Sequence, residues 1–234
     1  MSALDQESSI FYTIRDKQGF VAKAILHGFN LGTSTLACEA PLPFKQFAGS
    51  FGAGVYGVAA KGGGQVLVLG PIGQYAKQDF RHQLLQIDAA ATPPTTKVVA
   101  SIDRLYQPNA GSSTYDASNG VFYTMVTYEE GVEAVAGISV LTGNLVYLTP
   151  TTLYTIDFHN GLLLGFGFGV QIDPSNNQPY QIRTLATLNP KNNATAVLMN
   201  LTGYATNLPP TVRNRYPAGF WFVEDPLMKI VPLL

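Results

Sequence analysis

The sequence contains the same five-residue pattern twice, and an apolar run follows each copy. Asp-x-x-Asn-Gly occurs at Asp116–Gly120 and again at Asp157–Gly161. Asn-Gly favours a tight turn between antiparallel strands, because both residues tolerate a positive φ. An Asp three residues before the Asn can accept backbone N–H groups inside that turn. The doubled pattern therefore predicts two copies of one β-hairpin unit.

Aligning the two copies on their glycines extends the repeat well beyond the turn. The units run over residues 115–150 and 156–201, and each predicts a turn, a strand, a loop, a longer strand, a tight turn and a last strand. Weaker echoes of the unit occur elsewhere in the chain. Five second strands are then expected, beginning near Phe11, Val55, Val121, Leu162 and Phe220. Five units in 234 residues would have about 47 residues each, a length typical of propeller blades.

The turn pattern, the β-run after it and the strand ending in "VLTGNLVYL" resemble the blades of NHL- and YVTN-type β-propellers, best over residues 112–201. The Gly-His and Trp-Asp pairs of WD40 blades are not seen. The resemblance implies a ring of four-stranded antiparallel sheets that binds ligands at one face and at the mouth of its channel. A shared fold does not imply one chemistry.

We therefore predict an all-β chain, with residues 1–234 forming a single small β-propeller of five blades. The N-terminus offers no strand before "SSIFYTIR", and the C-terminal segment is too short for four strands. Pairing of N- and C-terminal strands would complete one blade and remove the open edge of the ring. Six blades, or a β-sandwich with two similar hairpin pairs, are the alternatives.

Composition and charge exclude several functional classes. Charged residues make up 12% of the chain and the formal net charge is −1, with no basic stripe for nucleic acid. Residues 134–156 carry no charge, but turn sequences interrupt them, so we expect strands and no membrane span. The N-terminus has no apolar signal region. We expect a soluble protein that is cytoplasmic, or secreted with its signal peptide absent from this chain.

Metal and cofactor motifs are weak throughout. Calcium needs several oxygen ligands from one loop, and "DASNG" alone supplies too few, so Asp116 and Asp157 are predicted to be structural. The single Cys38 and the three histidines give no zinc spacing. Gly52-x-Gly54-x-x-Gly57 would need a following helix to bind a dinucleotide, and three consecutive glycines from Gly62 indicate a hairpin instead. We predict no cofactor and no metal.

Few residues are suited to acid–base catalysis. His82 lies near Asp79, which could orient it as a general base, and Glu224 is a further carboxylate at a probable turn. If the protein is an enzyme, these three residues are the candidates. The reaction would be that of a hydrolase, lyase or isomerase at the channel mouth.

Aromatic and arginine side chains give a stronger indication of binding. Planar Arg forks and aromatic faces suit sugars, carboxylates or a peptide. Phe166 and Phe168 share one face of a predicted strand and are expected in the core. The predicted ligand-binding residues lie in a loop between blades, in the loop before the last aromatic strand and, for Trp221, in that strand, where it is either a core residue or a stacking face: Arg104, Tyr106, Arg213, Arg215, Tyr216 and Trp221.

The sequence thus favours a non-catalytic, lectin-like module that binds a glycan, a small molecule or a protein partner. A structural role as a homo-oligomeric subunit is the third alternative, because a lightly charged surface resists self-association only weakly.

Overall fold

The computed structural model describes residues 2–17, 23–45, 55–72, 81–102, 107–128, 132–172 and 174–201. Within these ranges the chain forms sixteen β-strands in four sheets of four strands each. We call each sheet a blade.

Blade 1 contains β1 (Ser2–Asp5), β2 (Ile10–Lys17), β3 (Lys23–Asn30) and β4 (Thr35–Lys45). Blade 2 contains β5 (Gly57–Gly62), β6 (Gln65–Ile72), β7 (Arg81–Asp88) and β8 (Thr95–Ile102). Blade 3 contains β9 (Gln107–Asp116), β10 (Val121–Tyr128), β11 (Val132–Ser139) and β12 (Leu145–Pro150). Blade 4 contains β13 (Asp157–His159), β14 (Leu162–Ile172), β15 (Pro179–Leu188) and β16 (Thr195–Asn200).

Every blade is an antiparallel meander in which strands adjacent in sequence pair with each other. The first strands of successive blades also lie together: β1 contacts β5, β5 contacts β9, and β9 contacts β13. The first strand of each blade is therefore its inner strand, and the sheets stack face to face outward from this line.

The alternating strand direction gives the stack two different ends. The turns between strands 1 and 2 and between strands 3 and 4 of each blade lie at one end, which we call the turn face. In each blade, strand 2 ends and strand 3 begins at the opposite end, which we call the loop face. The Gly64 amide in the first turn of blade 2 donates to Asp5 in that of blade 1, at 2.8 Å, so the turns of neighbouring blades meet.

The core consists of apolar clusters between adjacent blades. Tyr12, Leu26 and Phe44 of blade 1 pack with Val66 and Ile87 of blade 2. Equivalent clusters lie between blades 2 and 3 and between blades 3 and 4. Burying one such side chain contributes about 1.5–3 kcal/mol. These clusters account for the alternation of apolar residues along the middle strands.

The repeat predicted from the sequence is confirmed in blades 3 and 4, where β10 begins at Val121 and β14 at Leu162. In blade 1, β2 begins at Ile10, next to the expected Phe11. The prediction for blade 2 is wrong: its second strand begins at Gln65, not near Val55. The turn lies at Gly62–Gly64, where all three glycines have positive φ. The expected strand near Phe220 lies outside the described residues.

The expectation that the N-terminus lacks a first strand is also wrong. Ser2–Asp5 forms β1 and pairs with β2, with Leu4 opposite Phe11. Its sequence, "SALD", is short and carries little β propensity. The turn after it resembles that of blade 3, because Asp5 Oδ1 accepts from the amides of Glu7 and Ser8. Ser9, with φ 54°, stands where blade 3 has a glycine.

The two Asp-x-x-Asn-Gly copies form different turns. In blade 3, Asp116 pairs with Val121 across a four-residue turn, and the Asp116 carboxylate accepts from the backbone amides of Ser118 and Asn119. In blade 4, His159 pairs with Leu162 across a two-residue turn made by Asn160 and Gly161, with φ of 49° and 83°. One pattern thus predicts a turn at each place without fixing its length.

This difference predicts unequal effects of two matched substitutions. The buried Asp116 carboxylate also accepts from the Asn119 side-chain amide at 2.6 Å. The exposed Asp157 carboxylate accepts from one backbone amide, that of the adjacent Phe158. We expect Asp116→Ala to lower the free energy of unfolding by about 1.5–3 kcal/mol and Asp157→Ala by about 0.5–1 kcal/mol. Urea unfolding of both variants measures the difference, and equal losses would contradict the assignment.

Candidate functional site

Most residues predicted as sites lie outside the described residues. Arg104 and Tyr106 fall in the connection between β8 and β9, and Asp79 precedes β7. The remaining ones follow the last described residue, Leu201: Arg213, Arg215, Tyr216, Trp221 and Glu224. Their roles stay predictions.

His82 lies near the start of β7, at the loop face. Its side chain is buried, and its ring centroid is 5.5 Å from that of Tyr56. Burial lowers the pKa of His82 to about 4, so the imidazole is neutral at pH 7. A base with so low a pKa takes up a proton weakly at neutral pH.

Hydroxyl groups of β9 connect the inner strands of three blades. Ser113 Oγ donates to the Val58 carbonyl of blade 2 at 3.0 Å. On the other side, Thr114 Oγ1 donates to the Asp157 carboxylate of blade 4 at 3.0 Å. Alternating side chains on a strand point to opposite faces, so β9 forms hydrogen bonds with both blade 2 and blade 4.

A β-bulge lies immediately before β13, the inner strand of blade 4. Leu153 bridges Gly167, and Asp157 pairs with Leu164, so residues 154–156 stand opposite only two residues of β14. The bulge is held on one side by the Tyr154 amide, which donates to the Phe166 carbonyl at 2.8 Å. Bulges re-aim side chains and are common beside binding sites.

Blade 3 holds the other side of this bulge. The Ile156 amide donates to Ser112 Oγ at 2.6 Å, while Thr155 Oγ1 accepts from the Phe166 amide at 2.9 Å. The bulged backbone then lies directly over Gly165, where a side chain would not fit. The conformation of the bulge is therefore fixed by Ser112 of blade 3 and by Gly165 and Phe166 of β14.

The bulge brings Tyr154 together with two residues of the main sheet. The Tyr154 and Phe168 ring centroids are 4.8 Å apart with the planes inclined by 33°. Arg183 of β15 stands directly opposite Phe168 of β14. We call these three residues the blade 4 corner; it lies toward the loop-face end of β14.

The side chains of the corner are accessible. Phe168 is 38% exposed, and Tyr154 and Arg183 are partly exposed. Burial raises the pKa of the Tyr154 hydroxyl, and the nearby positive charge of Arg183 opposes this rise. At neutral pH the corner thus offers a phenol donor, two aromatic faces and a guanidinium, which suit a sugar or a carboxylate.

The sequence did not single out the corner. Phe166 and Phe168 share a face, as predicted, but that face points away from blade 3, and the expectation that Phe168 is core is wrong. Leu163 and the intervening glycines form the face that packs on blade 3. The only signal was the alternating "GFGFG", since glycines in a strand often mark a bulge or a close backbone approach.

Two kinds of feature are absent from the described residues. Among the described residues, no group of three or more His, Cys, Asp or Glu side chains could hold a metal ion. In the same residues, no helix is long and apolar enough to cross a membrane.

Comparison with known proteins supports the fold alone. The sequence matches no protein family and no curated protein. The structure resembles the β-propeller domain of the Trilobed protease from Pyrococcus furiosus, described as having an open velcro topology, with a TM-score of 0.51 and 7% identity. The match covers 85% of this chain but 56% of that one, so this chain spans little more than half its length.

A second solved structure, YjhT, matches with a TM-score of 0.44 and 12% identity, covering 83% of this chain and 68% of that one. The likeness to the Trilobed protease domain shows that the four sheets described above resemble β-propeller blades. The NHL and YVTN resemblance stays a prediction.

Proposed function

We propose that the protein is a non-catalytic ligand-binding module whose blade 4 corner holds a glycan or a small planar carboxylate. The observation that carries the proposal is the convergence of Tyr154, Phe168 and Arg183 at a fixed bulge. Two aromatic faces and a guanidinium thus lie together at a partly exposed surface. Stacking on an aromatic face and a bidentate arginine contact would together orient such a ligand.

The lectin-like and protein-binding predictions belong to the same proposal. A glycan or an aromatic carboxylate could use Phe168 as a stacking face and Tyr154 Oη as a hydrogen-bond donor. Arg104 and Tyr106, which lie outside the described residues, stay predicted ligand-binding residues. A homo-oligomer also stays a prediction.

The alternative of a hydrolase, lyase or isomerase using His82, Asp79 and Glu224 also stays a prediction. The low pKa of the buried His82 weighs against a general base at neutral pH. We therefore place binding ahead of catalysis.

We also propose a fifth blade, as the sequence predicts, formed from residues after Leu201. Arg213, Arg215, Tyr216 and Trp221 would then belong to it. Closure by pairing of N- and C-terminal strands stays part of the prediction. In the described residues, β1 pairs with β2 and belongs to blade 1.

The ligand proposal predicts a selective loss of binding. An array of glycans and small carboxylates identifies a ligand, and titration then compares variants. We expect Arg183→Ala to weaken binding about tenfold or more, because a hydrogen bond to a charged group contributes about 1.5–3 kcal/mol. Phe168→Ala removes the stacking face and should also weaken binding, by a smaller factor. Arg183→Lys keeps the positive charge but cannot form a bidentate guanidinium contact, so its affinity should lie between those of Arg183→Ala and the wild type.

Matched controls separate the corner from general surface effects. Lys97 and Val98 are an exposed cation and an exposed apolar residue on β8 of blade 2. Lys97→Ala and Val98→Ala should leave the affinity unchanged. Binding that survives both corner substitutions, or that falls equally in the controls, would reject the site.

A further inference from the structure

Three lysines occupy one row across blade 1, at the loop face. β2 ends at Lys17, β3 begins at Lys23 and β4 ends at Lys45. Lys17 pairs with Lys23, and Lys23 pairs with Lys45 on its other side. Because neighbouring strands lie about 4.8 Å apart, the three positions span about 10 Å. We call these three residues the lysine row; they belong to a different blade from the blade 4 corner.

Strand pairing brings these charges together, although the sequence keeps them apart. Residues 18–22 and 24–44 separate the three lysines, and these segments contain no further lysine or arginine. The sequence therefore shows no basic stripe, whereas the fold contains a short one.

The chain next to the row supplies no acidic residue on the same face. Residues 18–22 and 46–54 contain no Asp or Glu. Asp16 pairs with Ala24, which belongs to the core between blades 1 and 2, so position 16 lies on the core face of the sheet. Positions 15 and 17 share the other face, because the faces alternate along a strand. The exposed Arg15 is a fourth cation there.

Glu39 stands farther along that face. Its Oε2 atom lies 3.4 Å from Nε2 of His27, the residue opposite it on β3. His27 is four residues from Lys23, which corresponds to about 13 Å along a strand. Among the described residues of blade 1, no acid stands closer to the row on this face.

The row costs stability in the free protein, because like charges directly opposite on neighbouring strands are destabilising. Lysines on edge strands often block pairing with other chains. That role accounts for Lys45 alone, since β4 is an edge of blade 1 whereas β2 and β3 are each paired on both sides. An anion bound across the row would remove the repulsion.

The shape and chemistry of the row favour a linear polymer that carries sulfate or carboxylate groups. Ammonium groups act as compact point charges, which suit separate anionic groups spaced along a chain. The paired positions at this end, which are the lysines with Arg15, Ile25 and Pro41, include no aromatic residue on which a nucleic-acid base could stack. A line about 10 Å long also fits one chain better than a lipid surface, which attracts broad basic clusters.

We propose that the lysine row binds a linear anionic polysaccharide that runs across the ends of β2, β3 and β4. The sulfate or carboxylate groups of the polymer neutralise the repulsion between the lysines. This site goes beyond the ligand site at the blade 4 corner and does not depend on it, because the two share no residue.

Fluorescence anisotropy of a labelled heparin oligosaccharide tests the proposal at low ionic strength, where attraction between charges is screened least. We expect binding that weakens as salt is added. Lys23→Gln/Lys45→Gln should weaken it about fivefold or more, because each of two exposed ion pairs contributes a factor of up to about five. Lys17→Gln/Lys23→Gln is a second row variant with the same expected effect.

A matched pair of substitutions controls for net charge. Lys97 and Lys191 are exposed lysines of blades 2 and 4. Lys97→Gln/Lys191→Gln removes as much charge as either row variant and should leave the affinity for heparin unchanged. Arg183→Ala should also leave it unchanged, which separates the row from the blade 4 corner. Equal losses in the row and control variants would show attraction by net charge alone and overturn the proposal.

Urea unfolding without ligand confirms that the variants are folded. The row variants should be at least as stable as the wild type at low salt, because they remove like charges. A folded row variant that binds heparin as tightly as the wild type overturns the proposal, as does equal binding of a neutral dextran. Tighter row-dependent binding of an oligodeoxythymidine, or of vesicles containing phosphatidylserine, assigns the row to nucleic acid or lipid and also overturns it.

Discussion

Gly165→Ala is expected to lower the free energy of unfolding by about 3 kcal/mol or more. A Cβ at this position would lie 1.8 Å from the Thr155 carbonyl oxygen and 2.9 Å from the Thr155 carbonyl carbon. Both are backbone atoms of the bulge, which Ser112 and the Phe166 amide hold in place. Relief would require moving the inner strand of blade 4, which is more than the ordinary overpacking cost of about 1–3 kcal/mol.

The same strand offers a control for this substitution. Gly169→Ala would place its Cβ 3.2 Å from Ile182 Cγ1, a side-chain atom that can shift. We expect it to cost less than about 1 kcal/mol. Urea unfolding of the two variants and the wild type gives the comparison. Similar small losses in both would show that the bulge is not as rigid as described.

Asp5→Asn is expected to have the second-largest effect, about 2–3 kcal/mol. The buried Asp5 carboxylate accepts from the amides of Glu7 and Ser8, from Ser8 Oγ, and from the Gly64 amide of blade 2. An asparagine replaces one of these oxygens with an NH₂ donor. With Oδ1 kept toward Glu7 and Ser8, that donor would face the Gly64 N–H, so the contact between blades 1 and 2 would be lost.

The Asp5 contribution also depends on pH. Burial alone would raise the pKa of Asp5, but hydrogen bonds from Ser8, Gly64 and Glu7 outweigh it and lower the pKa below its ordinary value of 3.8. Because the folded-state pKa is the lower one, this stabilisation is fully present above pH 3.8 and falls as the pH drops toward the folded-state value.

Urea titrations of wild type and Asp5→Asn at a series of pH values test this linkage. The stability difference between the two proteins should be constant near neutrality and shrink as the pH falls below about 4. A difference that stays the same down to the lowest pH at which both proteins fold would contradict the assignment of these bonds to a carboxylate.

The fold was predictable from the sequence where local chemistry decides the backbone. Asn160 and Gly161 adopt positive φ, so the turn between strands 1 and 2 of blade 4 could be placed. The length of each turn could not, because tertiary bonds decide it. Asp116 caps its own turn, whereas Asp157 is engaged by Thr114 of the neighbouring blade.

The first strands of blades 1 and 2 were harder to place for a related reason. Ser9 adopts a conformation usually assigned to glycine, so the turn after Asp5 carries no Asn-Gly signal. In blade 2, several glycines compete for the turn, and the backbone uses Gly62–Gly64, not Gly54. Propensity alone could not rank these alternatives.

The blade 4 corner could not be predicted because it depends on register. Phe168 and Arg183 are distant in sequence and meet only because β14 and β15 pair with these two residues opposite. Tyr154 joins them through a bulge that is hydrogen-bonded to Ser112 of another blade. No local sequence pattern predicts that Tyr154, Phe168 and Arg183 come together.

The central claim, that the blade 4 corner holds the ligand, is tested most directly by NMR. Isotope-labelled protein would be titrated with the ligand found on the array, and its backbone amide shifts would be followed. The account predicts the largest changes at residues 154–156, Phe168 and Arg183. Changes confined to His82 and its neighbours, or to the turn face, would contradict it.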